Sequence, residues 1–534
     1  MSDWSWTEAP AQTATGFSSM SLEDPEPAPK YSIPMWGSDE VEDVERYEPS
    51  GYHPVKVGDF FQERFEIIHK LGHGGFAVVW LCRDHLDGRW CALKIIASGH
   101  SSEEGGELEI LKIFSDKGID RQEAAAHHVM LADQHFWIDG PNGRHLALVS
   151  PLLGPSLSYW LQEGKRTFEA MNTFCRQMTK SLQFLHGLGI CHGDFRPANI
   201  LLKLRNIDDM SEEEIINIFK VPNALGVSLT SGEESSPHAP EYLVRPVGWS
   251  QAMEEGLVLD EIAIVDFGEA FLGGEAPSLA GIPRAYAAPE IIYNQPRSLE
   301  SDLWSLGASI MEVYGGVGFS DEVLPATQTL EGYFGPLPVE YREDFEKQHR
   351  EYLTSRREYE DLCERNLLKQ GLSEYIDEEP KTEPTAWVLS EEQRTDPFHP
   401  VSYSSVAELA ETDREELLEK EYSHRISLPL SYMKVSFFQE SDPRCNKQGR
   451  WFLDREEILL LTDLALKLFR YDPQERLKPA QILKHPWLKE EDADEVAGEV
   501  EDEDDGSSMG LGVLQRVMDL LWPPSWRYIH HFLI

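Results

Sequence analysis

Between Phe60 and Ile96 the apolar positions come in short runs rich in β-branched and aromatic residues. Breaks at 73–75 and 87–88 carry turn residues, so residues 60–71 and 76–96 predict three strands joined by tight turns. The period then changes. Residues 103–114 have helical spacing, with Leu108, Leu111 and Phe114 on one face. Residues 157–188 predict two helices, the second with Phe174, Met178, Leu182 and Leu185 on a buried stripe. A further helix resumes past Trp451 through Leu459, Leu464, Leu468 and Phe469.

Elsewhere the pattern fades. Residues 204–260 show little sustained periodicity, and residues 318–450 are charged and partly helical, notably at 341–365. Residues 1–50 hold eleven acids and two bases among scattered Pro, Ser and Thr, which predicts a disordered acidic leader. Residues 490–505 hold eleven acids and no base, a solvated linker, and beyond them Leu514, Val517, Met518 and Leu521 share a helical stripe. Length alone, 534 residues, suggests about 3 or 4 domains. The pattern instead favours one large domain at 51–488 carrying two inserts, 204–260 and 318–450.

Composition narrows the function classes. With 94 acidic and 48 basic residues the chain carries a net charge of −46, which excludes a general polyanion binder and leaves basic partners open. At 41% hydrophobic and 10% aromatic it can bury a large core. Cys82, Cys91, Cys175, Cys191, Cys363 and Cys445 form no CxxC pair, as expected of a reduced intracellular protein. The start, MSDWSWTEAP, has neither the basic nor the apolar region of a secretory signal. No run reaches the roughly 20 apolar residues of a membrane span, so none is expected.

Candidate chemistry starts at Leu71-Gly-His-Gly-Gly-Phe-Ala-Val-Val79, a glycine turn between two strands. Gly72 and Gly74 would let the backbone close over a triphosphate, and Ala77 replaces the third glycine of a GxGxxG pattern. An ordinary hairpin turn explains this motif equally well. It gains meaning from Ala92-Leu-Lys94 one strand later, where Lys94 would point under the turn and hold phosphates if a carboxylate fixed it. Glu109 in the following helix is the expected partner; Glu107, two residues earlier on another face, stands second. In His192-Gly-Asp194-Phe-Arg196-Pro-Ala-Asn199, Asp194 can accept a hydroxyl proton and Asn199 can offer an oxygen to a metal. Residues 262–268, IAIVDFG, are an apolar strand ending in Asp266, suited to Mg²⁺.

The order of these motifs resembles that of eukaryotic protein kinases along nearly all of 51–488. Ala288-Pro-Glu290, Asp302-Leu-Trp304-Ser-Leu-Gly307, Arg476 and residues 484–488, KHPWL, fall where that family closes its activation segment, supports its catalytic loop, pairs the APE glutamate and ends. Residues 51–59, GYHPVKVGD, and Val79-Trp-Leu81 are similar to the SR-protein kinases, of which this chain would be a divergent, fungal-type member. The resemblance implies a bilobal α+β protein kinase fold, with a β-rich N-lobe (51–153), a mainly helical C-lobe (154–488), disordered tails and an acidic linker with a short apolar tail at 489–534. It implies ATP and Mg²⁺ as cofactors. Leu71, Gly72, Gly74, Val79, Ala92 and Lys94 would bind the nucleotide and Asn199 and Asp266 the metal. Lys94, Glu109, Asp194 and Arg196 would serve phosphoryl transfer to Ser or Thr. The expected partners are protein substrates, Arg/Ser-rich in that family, met by a monomer in cytoplasm or nucleus without direct nucleic-acid binding.

Three departures stand out. Gly193 replaces the usual arginine that clamps a phosphorylated activation loop, Arg196 replaces the lysine facing the γ-phosphate, and Pro283 sits where a threonine usually orders the catalytic aspartate. They make a nucleotide-binding pseudokinase the alternative function. HGDFRPANIL also resembles the loop of aminoglycoside and choline kinases, families that generally lack the APE, DxWSxG and HPWL set.

Overall fold

Branched and aromatic runs give the first lobe its sheet. The computed structural model describes residues 29–34, 40–104, 106–163, 167–232, 236–273, 281–315, 338–341, 344 and 455–488. After the short β1 (Tyr31–Ser32) come β2 (Phe60–Phe61), β3 (Phe65–His73), β4 (Ala77–Asp84), β5 (Arg89–Ile96), β6 (Gln134–Gly140) and β7 (Gly143–Pro151). The last six form one antiparallel sheet in the order β2-β3-β4-β5-β7-β6. The β4–β5 turn is fixed by Asp84, which accepts Arg64 Nε and Nη2, both at 2.7 Å, and the backbone N–H groups of Leu86 and Asp87. Helices α1 (Gly106–Asp116) and α2 (Arg121–Ala126) lie between β5 and β6 in the chain.

Helical periodicity takes over after β7. α3 (Leu157–Glu163) leads to α4 (Phe168–Gly187), capped by the Thr167 hydroxyl, which accepts the Ala170 N–H. Met171, Phe174, Cys175, Met178, Leu182 and Leu185 of α4 are fully buried, a stripe whose larger side chains each stabilise by ~1.5–3 kcal/mol. β8 (Ile190–Cys191) and β9 (Ile200–Leu204) bracket the loop of interest. The segment after β9 holds α5 (Glu212–Phe219), β10 (Ala224–Gly226), β11 (Ser228–Leu229), β12 (Tyr242–Val244) and α6 (Ser250–Glu254). β13 (Val258–Ile264) returns antiparallel to β9, and β14 (Phe271–Leu272) pairs with β8. α7 (Pro289–Ile292), α8 (Leu299–Gly315), α9 (Arg455–Leu468) and α10 (Pro479–Ile482) complete a two-lobed α+β fold. Among the described residues, no helix is long and apolar enough to cross a membrane.

Two expectations need correction. The leader is ordered where it is described: Tyr31, Val41, Val44 and Tyr47 are buried in one cluster with Ile67, Trp80 and Leu93 of the sheet. Its apolar residues are too far apart for a periodic signal, yet they fit the sheet's outer face. The first insert is also built into the first lobe. β1 pairs with β11, β10 pairs with β12, and Ile215, Ile218, Phe219 and Trp249 pack with Ile68, Leu81 and Trp90. Polar contacts accompany them: Trp90 N–H donates to Asp208 (2.9 Å), Trp90 Nε1 to Met210 O (3.1 Å) and Val247 N–H to Lys70 O (2.9 Å). Almost all of the insert 318–450, including the expected helix at 341–365 apart from Tyr341 and Asp344, lies outside the described residues. So do the acidic run and the stripe of Leu514, Val517, Met518 and Leu521.

Candidate active site

Strand alternation explains how Lys94 reaches the site. In β5 Cys91, Leu93 and Ile95 are buried on the outer face beneath the leader, while Ala92 and Lys94 share the other, half-buried face. Lys94 pairs across the sheet with Val79, and Val79 faces Gly72. Leu71 is half-buried beside them at the start of the glycine turn, which Gly74 closes by donating its N–H to Ala77 O at 2.9 Å.

Lys94 Nζ donates to Glu107 Oε1 at 2.7 Å and to Asp266 Oδ1 at 2.8 Å. Glu107, not Glu109, is therefore its partner. α1 begins at Gly106, whose φ of 57° turns the chain into the helix, and Glu107 stands three and seven residues before the buried Ile110 and Phe114. That puts Glu107 on the buried face, while Glu109 lies about 200° further round. Burial opposes the Lys94 charge, but the two carboxylates outweigh it and push its pKa above the usual lysine range. Lys94 in turn pulls Asp266 below the ordinary aspartate value. Asp266 adopts φ 65°, a left-handed conformation a non-glycine residue holds only when its surroundings fix it.

The loop between β8 and β9 is held from beneath. Asp302, buried in α8, accepts the backbone N–H of His192 (2.8 Å) and of Gly193 (3.0 Å), and His186 Nε2 contacts it at 3.0 Å. His192 accepts the Asp194 N–H on Nδ1 and donates from Nε2 to Val265 O at 3.1 Å. This ties the loop to the strand that carries Asp266. Asn199 Nδ2 donates to Asp194 O (2.9 Å) and Oδ2 (2.7 Å), and Arg196 Nε reaches both Asp194 oxygens at 3.0 and 3.1 Å. Burial raises the Asp194 carboxyl above its ordinary range against the pull of Arg196 and His192. Because the Asn199 amide N–H groups face Asp194, its carbonyl oxygen is free of that contact, and with the Asp266 carboxylate it would offer oxygen ligands of the kind that suit Mg²⁺.

The departures take physical form. Gly193 has φ 79°, and a Cβ there would lie 2.2 Å from Glu269 O, so the loop as folded admits no side chain at this position. Pro283 accepts the N–H groups of Tyr286 and Ala287 in a turn, without a hydroxyl to offer Asp194. Glu290 and Arg476 do pair: Nη1 and Nη2 reach the two carboxylate oxygens at 2.7 and 2.6 Å, with both residues buried. His186 escaped sequence reasoning; its position in the last turn of α4 was the only sign.

The fold and this constellation are similar to those of a protein kinase domain, and residues 65–212 match the family model described as "Protein kinase domain". The relatives it resembles include SR-protein kinases. The chain is 33% identical over 218 residues to the serine/threonine-protein kinase spk-1 of Caenorhabditis briggsae, covering 39% of this chain and 19% of that one. It is 37% identical over 191 residues to SRSF protein kinase 3 of Sus scrofa, covering 34% and 33%. A serine/threonine protein kinase of Aspergillus fumigatus is 29% identical over 279 residues, covering 52% and 64%. The chain thus spans about a fifth to a third of the length of the first curated relatives it matches.

Proposed function

We propose that this chain is an ATP- and Mg²⁺-dependent protein kinase that phosphorylates Ser or Thr in Arg-rich protein substrates. The ion-pair chain Glu107–Lys94–Asp266, joined through Val265 and His192 to Asp194, is the observation that carries the reading. Lys94 would hold the nucleotide's α- and β-phosphates, and Leu71, Val79 and Ala92 would cover its base. Asn199 and Asp266 would hold Mg²⁺, which supplies charge neutralisation for the transferred phosphoryl group. Asp194, oriented by Asn199 and Arg196, would take the hydroxyl proton, and the remaining guanidinium N–H groups of Arg196 would meet developing negative charge. A pseudokinase has no need of an Asp194 held by two separate side-chain donors, Asn199 and Arg196, so the catalytic reading is preferred.

Substrate preference follows from charge. Residues 204–260 carry eleven acids against three bases, within a chain of net charge −46. Such a surface steers basic peptides, an effect that salt screens. The test is phosphotransfer to Ser peptides flanked by Arg or by Glu, with Asp194→Ala as control. The Arg-flanked peptide is expected to show the lower KM, with the gap shrinking as salt is added. A preference for the acidic peptide refutes the substrate reading; equal incorporation by Asp194→Ala refutes the catalytic one.

A further inference from the structure

The glycine turn is tied down from outside the Lys94 site. A Cβ at Gly72 or Gly74 would meet nothing within 4 Å, so packing of the turn itself does not set its height. The Ala97 N–H holds Phe76 O at 2.8 Å on the far side, and two contacts from residues 42–52 hold the near side. The hydroxyl of Tyr52, a residue only 2% exposed, donates to Gly74 O at 2.7 Å, at the tip of the turn. At its base, the wholly buried Lys70 donates to Glu42 at 2.5 Å, and its amine lies over the Trp80 ring.

These two anchors are one unit. Glu42 offers its other oxygen to the Tyr47 hydroxyl at 2.7 Å, and the Tyr47 ring meets the Tyr52 ring edge-on at 5.6 Å. Tyr52 is fixed in turn by its backbone: its N–H donates to Arg46 O, and its carbonyl accepts Asn142 Nδ2 at 2.6 Å. Arg46 stacks over its ring at 5.0 Å. Burial raises the Tyr52 hydroxyl above its ordinary range, so it remains a protonated donor throughout neutral pH. The bracket runs Lys70–Glu42–Tyr47–Tyr52–Gly74 and spans both ends of the turn.

We propose that Tyr52 and Glu42 are positioning residues of the nucleotide site, holding the glycine turn at the height that grips phosphates. This rests on the reading of the Lys94 site as a nucleotide site. Neither residue touches nucleotide. Each acts through the backbone of the turn, so the effect belongs to nucleotide affinity rather than to chemistry or peptide binding. Loss of one such hydrogen bond lets the turn lift and weakens nucleotide binding by roughly 3- to 10-fold.

The experiment uses the full chain and Tyr52→Phe, which removes only the hydroxyl, with Glu42→Gln as the second variant. Titration with a fluorescent ATP analogue, steady-state kinetics in Mg·ATP and in peptide, and thermal melting are measured on each. For Tyr52→Phe the nucleotide Kd and KM are expected to rise roughly 3- to 10-fold, with kcat and peptide KM within about 2-fold and melting unchanged. Amide exchange at residues 72–76 should quicken. Glu42→Gln should move nucleotide affinity in the same direction. Unchanged nucleotide Kd in Tyr52→Phe overturns the proposal, as does a loss of kcat and peptide affinity in step with melting. A wild-type chain that binds no nucleotide overturns the site reading itself, a different result from a binding wild type and an unaltered variant.

Discussion

Arg476→Met removes the most heavily used buried charge in the second lobe. Arg476 donates to both Glu290 oxygens, to Glu300 O at 2.8 Å and to Arg470 O at 2.9 Å, and its guanidinium faces Trp304. Methionine fills the aliphatic stem but leaves Glu290 with the Ser301 hydroxyl at 2.8 Å as its remaining bonded partner of that set. Removing one member of a buried pair costs about 3–5 kcal/mol, because the other charge stays out of water uncompensated. With the two carbonyl bonds also lost, the upper half of that range is expected. In urea unfolding followed by tryptophan fluorescence, the midpoint should fall with little change in slope. Adding Glu290→Met should restore at least half of the loss, since an apolar pair leaves no orphaned charge. Glu290 anchors the end of the segment that begins at Asp266, so phosphotransfer should fall further than nucleotide affinity. A loss below about 1 kcal/mol for Arg476→Met, or a double variant as unstable as the two singles summed, would refute the reasoning.

Glu107→Gln should lower kcat/KM by roughly 10- to 100-fold through loss of a charge-assisted bond to Lys94, while Glu109→Gln stays within about 2-fold; equal effects would restore Glu109 as partner. Lys94→Met should abolish phosphotransfer while melting stays close to wild type. For Asp84, burial raises the carboxyl but Arg64 and the Leu86 and Asp87 N–H groups lower it more, to about 2 from an ordinary 3.8. A depressed carboxylate stabilises the fold above its unfolded pKa, and that contribution is lost as pH falls from about 4 through about 2. Asp84→Asn should therefore be less stable than wild type at pH 7, and the gap should close across that window in a pH series of unfolding curves. Gly193→Ala should lose roughly 1–3 kcal/mol of stability in the same assay from its left-handed backbone and the approach to Glu269 O, and Gly193→Arg should gain no phosphate-dependent activation.

Lys94, Asp194, Asn199 and Asp266 were legible because each stands in a short motif whose spacing survives folding. The sheet around Lys94 was legible for a similar reason, since its strands alternate locally and its turns carry Gly or Asp. The choice between Glu107 and Glu109 was not, because it depends on where α1 begins. The phase of Ile110 and Phe114 held the answer, and Leu108, which packs on a separate small cluster, with Leu111, which packs on both, masked it. The ordered leader was hidden for another reason. Glu42 reads as one more solvated acid until Lys70, 28 residues on, is folded against it. Contacts of that range leave no periodic trace.

The insert after β9 has a mechanical consequence. It leaves the second lobe at Leu204, fastens to Lys70 and Trp90 of the first, and rejoins the second at Val258. The lobes are thus joined by the chain between β7 and α3 and again here, besides the bonds of His128 and Met130 to Ile264. A body held at one flexible point can tip any way; held at two, it swings only about the line through both, like a gate on two pins. Separation of Lys94 from Asp266 is then restrained to fewer directions than a single connection would leave open.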